Sequence, residues 1–308
     1  MKSQKLIAIV LLGLCNSNIN LTKEYGGQSM VTPLKKVLVR APDQTFGSAD
    51  TEVWHYTSQP NLDIAIQEHQ MIVDALEQEG VEVIHHDIAL PFHADATFVH
   101  DAAIVTDHGA IIFQMGKTLR RGEEEAIKQT LLSLNIPILH ELHGTATAEG
   151  GDMLWINEHT LAIGRSYRTN QEGINQIREA LAPYNVDVLQ FDLPYDQGKV
   201  ACLHLQSLIS FVDYKKAVVF LKDMPIAFVE LLEKNNIELI VVPDDEYATM
   251  APNILAIKPN VVIMLENNTK TIELLRQAGC KVYTYKGNEL SLKAEGGATC
   301  LTRPLLRQ

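Results

Sequence analysis

One unit returns four times between residues 102 and 286: two short apolar runs joined by a tight turn, an amphipathic helix, then a third apolar run. The first instance is "AAIVTDHGAIIFQ", whose Asp107-His108-Gly109 turn places a glycine where positive φ is needed, followed by "RGEEEAIKQTLLSLN" and "IPILHE". It recurs as "MLWINEHTLAIG", "NQEGINQIREALAPY", "VDVLQFD"; as "SLISFVDYKKAVVFL", "PIAFVELLEKNN", "IELIVVP"; and as "NILAIKPNVVIML", "TKTIELLRQAG", "KVYTYK". The turns fall near residues 108, 158, 213 and 259, a period of about fifty residues that marks a closed or solenoidal array. Ahead of them stand a strand "LKKVLVR", a helix "NLDIAIQEHQMIVDALEQEG" with Asn61 as N-cap and Gly80 as its stop, and a strand "VEVIHHD", but no hairpin partner. The unassigned strand is "CLTRPLL" at the far end. Pairing it with the first unit closes a ring of five ββαβ modules and removes exposed edges. The expected fold is therefore α/β, a five-bladed α/β propeller forming one domain over residues 34–308. A doubly wound sheet would join single parallel strands through its helices, and the hairpins argue against it.

With 26 Lys plus Arg against 38 Asp plus Glu, the formal net charge of -12 repels phosphate backbones, and no basic run exceeds Arg120-Arg121 or Lys215-Lys216. Nucleic acid is excluded as a partner. Four cysteines without a C-x-x-C pair describe neither a disulfide scaffold nor a zinc ribbon, so free thiols are expected. Residues 1–30 read as a signal peptide or an N-terminal extension: Leu6–Leu14 is an apolar run behind Lys2 and Lys5, too short to span a membrane, and Met30 offers an alternative start. A cytoplasmic protein is expected, or an exported one if the leader functions. No membrane partner is expected, and a homo-oligomer is left open.

Four stretches carry polar residues that core packing does not explain. They are "DATFVHD" with Asp95 and Asp101, "EGGD" with Glu149, "CLHLQS" with His204, and "GGATC" ending in Cys300. Singly, each has an ordinary reading: a histidine among leucines is commonly a satisfied core residue, glycine pairs are commonly turns, and a lone cysteine is commonly an inert apolar side chain. Position changes the balance, because each sits beside a different module's hairpin and the ring brings those borders together. A Cys, a His and a Glu converging on one cavity supply a nucleophile, its acid/base and an orienting carboxylate. His85, His86, Asp87, His93, Asp95, His100 and Asp101 crowd one segment, and His85 and Asp87 share a strand face. The aspartate-rich run of a binuclear metallohydrolase is absent, however, so no metal and no other cofactor is expected.

Taken together, "FVHD", "RRGEE", "EGGD", "IGRSYRTNQEG", "LHLQS" and "GGATCLTRPL" resemble, in order and spacing, the guanidine-modifying (pentein) superfamily of dimethylargininases, arginine deiminases and amidinotransferases. The resemblance runs from Leu34 to Leu305 and implies a five-bladed propeller acting on a small guanidino substrate. It implies Cys300 as nucleophile, His204 as general acid and base, and Glu149 as the carboxylate that holds the guanidinium and supports His204. Asp101 would grip the cation from the other side, Arg120 and Arg168 would receive an α-carboxylate, and Asp95 would lie near the α-amino end. The implied reaction is hydrolysis of an Nω-methylated arginine to citrulline and an amine through a Cys thiouronium. Amidino transfer to an amine, arginine deimination, and an inactive propeller that binds a cationic amino acid are the alternatives. Two departures stand out: His100 replaces the carboxylate of the dimethylargininase "FVED", and Gln206 replaces the aspartate that arginine deiminases carry two residues after the catalytic histidine.

Overall fold

The computed structural model describes residues 23–199 and 203–308, so the Leu6–Leu14 run read as a leader, Cys15 and Cys202 lie outside the described residues. The chain opens its first blade with β1 (Leu34–Val39), crosses through the helix Leu62–Gln78, and returns as β2 (Glu82–His85) parallel to β1. The second blade is β3 (Ala103–Thr106), β4 (Gly109–Ile112), the helix Glu123–Ser133 and β5 (Ile138–Glu141). The third is β6 (Met153–Asn157), β7 (Thr160–Arg165), the helix Gln171–Leu181 and β8 (Asp187–Asp192). The fourth is β9 (Ile209–Asp213), β10 (Lys216–Val219), the helix Ile226–Lys234 and β11 (Glu238–Val241). The fifth is β12 (Leu255–Lys258), β13 (Val261–Leu265), the helix Thr269–Gln277 and β14 (Lys281–Tyr285). In these four blades the first strand is antiparallel to the second and the second parallel to the third.

The last strand, β15 (Thr302–Arg307), supplies what the first blade lacks. It pairs antiparallel with β1, Leu34 facing Arg307 and Val39 facing Thr302. Five three-stranded sheets result, and the ring is closed. Val37 and Leu38, caught between β15 and β2, have no exposed surface. The first strands of the hairpins form the inner wall: β9 lies against β12 and β15 against β3. Side chains of all five inner strands, among them Ile104, Trp155, Phe211, Ala256 and Arg307, line one cavity on the axis.

Two features lay beyond the sequence reading. The packed chain begins ahead of Leu34, since Gly26 donates to the Leu305 carbonyl and accepts from the Arg307 amide, both at 2.8 Å. Residues 41–60 hold two one-turn helices, Gln44–Gly47 and Thr51–Trp54, N-capped by Asp43 and Asp50. Such short turns carry no periodicity, only the capping aspartates. They bring Trp54 and Tyr56 toward the site.

The long helix of the first blade starts where Asn61 accepts from the Ile64 amide at 3.1 Å and stops near Gly80, at φ +78°. On its buried side, Glu68 accepts the amides of Asn288, Glu289 and Leu290 at 2.8–2.9 Å, tying the fifth blade's final loop to the first blade's helix. Glu68→Gln turns one acceptor toward these donors into an opposing N–H. It is expected to lower stability by about 2–4 kcal/mol, read as a fall in the chemical-denaturation midpoint, with the helical circular dichroism of the remaining folded protein unchanged.

Candidate active site

The polar residues gather at the leading ends of the inner strands. Asp101 lies two residues before β3, Glu149 just before β6, His204 before β9 and Cys300 two residues before β15. Ring closure brings these ends together. The amide of His100 donates to the Cys300 carbonyl at 3.1 Å, and the amides of Gly150 and Gly151 donate to the carbonyl and the carboxylate of Asp101, both at 3.0 Å. The glycines serve close approach. A β-carbon at Gly151 would collide with the His204 ring, and one at Gly297 with the Asn253 side chain.

Glu149 has no exposed surface. Its Oε2 meets His204 Nε2 at 3.0 Å, its Oε1 accepts from the Lys117 amide at 2.9 Å, and the Arg168 guanidinium stands 3.3 Å from Oε2. Burial alone would push the Glu149 carboxyl up, but the hydrogen bond from His204 and the charge of Arg168 outweigh it and hold Glu149 well below the usual carboxylate range. The arginine expected to receive a substrate carboxylate thus faces Glu149.

Asp101 is fixed from two sides, by the Gly151 amide and by Arg120 Nη1 at 2.7 Å. Burial opposes its charge, yet Arg120 and His204 keep its carboxyl below the ordinary value. Arg120 differs from the free fork expected of it. It is buried, and its guanidinium also donates to both oxygens of Glu123 and to the Phe98 carbonyl at 2.7–3.1 Å. A cation without solvent needs such partners, so Arg120 positions Asp101. Asp95 accepts from Tyr56 Oη at 2.9 Å and Lys117 Nζ at 2.6 Å, and that ammonium sits 4.9 Å from the Trp54 ring centroid.

His100 and Gln206, the two departures, meet each other. His100 Nδ1 lies 2.8 Å from the Thr302 carbonyl and its Nε2 3.0 Å from Gln206 Nε2, while the Gln206 amide also donates to the carbonyls of Gly150 and Met153. Burial, with Arg303 nearby, pushes His100 down to about 3, so the ring is neutral, with Nδ1 donating to Thr302 and Nε2 accepting from Gln206. His100 therefore shapes the floor of the site and carries no charge into it. Of the crowded histidines, His86 Nδ1 pairs with Thr130 Oγ1 at 2.8 Å and His93 Nε2 with the Arg121 carbonyl at 2.9 Å; among the described residues no group of three or more His, Cys, Asp and Glu could hold a metal ion.

The Cys300 sulfur accepts from Asn253 Nδ2 at 3.3 Å, and Asn253 Oδ1 accepts both the amide and the hydroxyl of Thr299. Burial pushes the thiol up and the charge of Asp101 adds to this, whereas Asn253 and His204 pull it down. The net shift is upward. Asn253, two residues before β12, escaped the sequence reading, although the fifth module was the one whose leading end had no assigned residue. Asp152 was quoted in its motif without a role; its Oδ1 accepts from the Leu205 amide at 3.1 Å and its Oδ2 from Ser166 Oγ at 2.6 Å, which anchors the His204 segment.

A family model described as eukaryotic N,N-dimethylarginine dimethylhydrolase matches residues 43–307. The chain belongs to this family. The dimethylarginine dimethylaminohydrolase family, with its fold and its class of chemistry, makes the chain a pentein hydrolase acting on C–N bonds in linear amidines. The chain is 28% identical over 273 residues to the N(G),N(G)-dimethylarginine dimethylaminohydrolase of Streptomyces coelicolor, covering 88% of this chain and 96% of that one. It is 26% identical over 270 residues to that of Pseudomonas aeruginosa, covering 87% and 98%. A solved Pseudomonas aeruginosa enzyme, complexed with citrulline, superposes with a TM-score of 0.73 at 23% identity over 89% of this chain and all of that one. No helix among the described residues is long and apolar enough to cross a membrane.

With its thiol shifted upward, the family's free enzyme here is expected to carry a protonated Cys300 at neutral pH, so alkylation by iodoacetamide rises with pH to a midpoint above the ordinary thiol value of about 8.5. Asn253→Ala removes a donor that favours the anion and moves the midpoint further up. A midpoint near neutrality in the unliganded protein contradicts this reading.

Proposed function

We propose that the chain hydrolyses an Nω-methylated arginine to citrulline and a methylamine through a covalent intermediate on Cys300. The observation that carries the reading is the buried Glu149–His204 pair at 3.0 Å, set beside a cysteine sulfur on which the charges of Asp101 and His204 both act. Glu149 and Asp101 are ionised groups at the leading ends of adjacent blades, close enough for each charge to act on the other, which suits a planar cation held between them.

The bound guanidinium favours the thiolate, and the thiol proton leaves to solvent. The sulfur electron pair forms a C–S bond to the guanidinium carbon. The C–N pair of the methylated nitrogen returns to the departing amine, which takes a proton from the His204 imidazolium. The S-alkylthiouronium that remains is attacked by a water, one proton of which passes to neutral His204; as the C–S bond breaks, the remaining hydroxyl proton goes to the departing sulfur, which releases the ureido product and the Cys300 thiol. Arg168 beside Glu149, and the Lys117–Asp95 pair, supply charges that suit the amino-acid end of the substrate.

The test is a panel of dimethylarginine, monomethylarginine, arginine and agmatine, scored for ureido product. The methylated arginines are expected to exceed arginine at least tenfold in kcat/KM. Cys300→Ser should fall by about 10³-fold or more while retaining the fold. Preference for arginine, or transfer of the amidino group to added glycine, replaces hydrolysis of methylarginine as the reading.

A further inference from the structure

The axial cavity behind the site holds charge that the reaction does not use. Arg303 and Arg307, both on β15, are each 5% exposed and both line it. Arg303 Nη2 donates to the His100 carbonyl, and Arg307 donates to the carbonyls of Thr32 and Ala256 at 2.7 and 2.8 Å. These partners are neutral, and among the described residues no carboxylate forms an ion pair with either guanidinium. Among the described residues, the Nε atoms of both arginines and Nε1 of Trp155, which lines the same cavity, have no hydrogen-bond partner. Burial lowers both guanidiniums to about 9, with the charge of Asp101 opposing the shift at Arg303, yet leaves them charged at neutral pH.

Buried cations are ordinarily paired, and buried donors ordinarily bonded. Water would satisfy the donors but bring no opposite charge to Arg307, and none beyond that of Asp101 to Arg303. We propose that the axial cavity is a binding site for one halide-sized monovalent anion, held by the guanidiniums of Arg303 and Arg307 and the indole N–H of Trp155. The cavity measures about 30 Å³, room for about two water-sized occupants, which suits a single chloride or bromide. An amino-acid-sized anion is too large. A wider hollow of about 500 Å³ adjoins the site and shares Ser29, Met30, Trp155, Phe211 and Arg307 with it.

The full chain is tested by thermal unfolding in sodium gluconate as the anion is exchanged for chloride or bromide at constant ionic strength. A saturable rise of about 2–4 °C is expected at tenfold excess over the half-saturating halide concentration. A crystal grown in bromide is expected to give an anomalous peak within hydrogen-bond distance of Arg303 and Arg307. Arg307→Gln should lose the halide response, and because it also removes a buried charge it should be no less stable than the unaltered protein in gluconate. An unchanged melting temperature across the exchange, or a bromide crystal without a peak in the axial cavity, overturns the proposal. Should Arg307→Gln fail to fold, the bromide peak in the unaltered protein decides alone.

Discussion

A carboxylate with no exposed surface must be paired or protonated, and Glu149 is the carboxylate around which this molecule is arranged. It stays ionised because His204, Arg168 and the Lys117 amide converge on its two oxygens from three directions. Each convergence has a structural requirement. Gly151 lets the His204 ring approach, Asp152 holds the backbone just past His204, and the turn after β4 delivers Lys117. The same pairing sets the site's character, since a fixed negative charge beside a histidine and a thiol suits a cationic carbon and disfavours a neutral one.

The ring was legible because its signal is repetition. Turn chemistry at Asp107-His108-Gly109 and its three counterparts, together with one leftover strand, determines which termini must pair, and β15 against β1 is the result. Convergence of Asp101, Glu149, His204 and Cys300 followed from the same closure. Apart from Glu149 with His204, which the resemblance implied, partnerships inside the site were not legible. A guanidinium read as a substrate fork, Arg120, lies under the surface holding Asp101 and Glu123, because the sequence gives no measure of depth along the propeller axis. Asn253 is a single polar residue among alanine, proline and isoleucine, with nothing local to mark it as the donor to the Cys300 sulfur.

His100 and Gln206, separate oddities along the chain, are one structural unit. The Gln206 amide nitrogen faces two backbone carbonyls and the accepting Nε2 of a neutral histidine. An aspartate at 206 would present only lone pairs to those acceptors, so the amide at 206 is matched to the neutral imidazole of His100. The floor of the site is consequently neutral, leaving Glu149 and Asp101 as its anionic pair. On its far side stand Arg303, donating to the His100 carbonyl, and the charged axial cavity.

The central claim is that the Cys300 sulfur bonds to the guanidinium carbon held between the two carboxylates. Rapid acid quench of the enzyme during turnover of a methylated arginine, followed by intact-mass and peptide mass spectrometry, measures this directly. The account predicts a transient adduct with the mass of the substrate less its amine, located on the peptide that contains Cys300. Turnover at full rate with no covalent species on that peptide at any quench time, or an adduct on another residue, would contradict it.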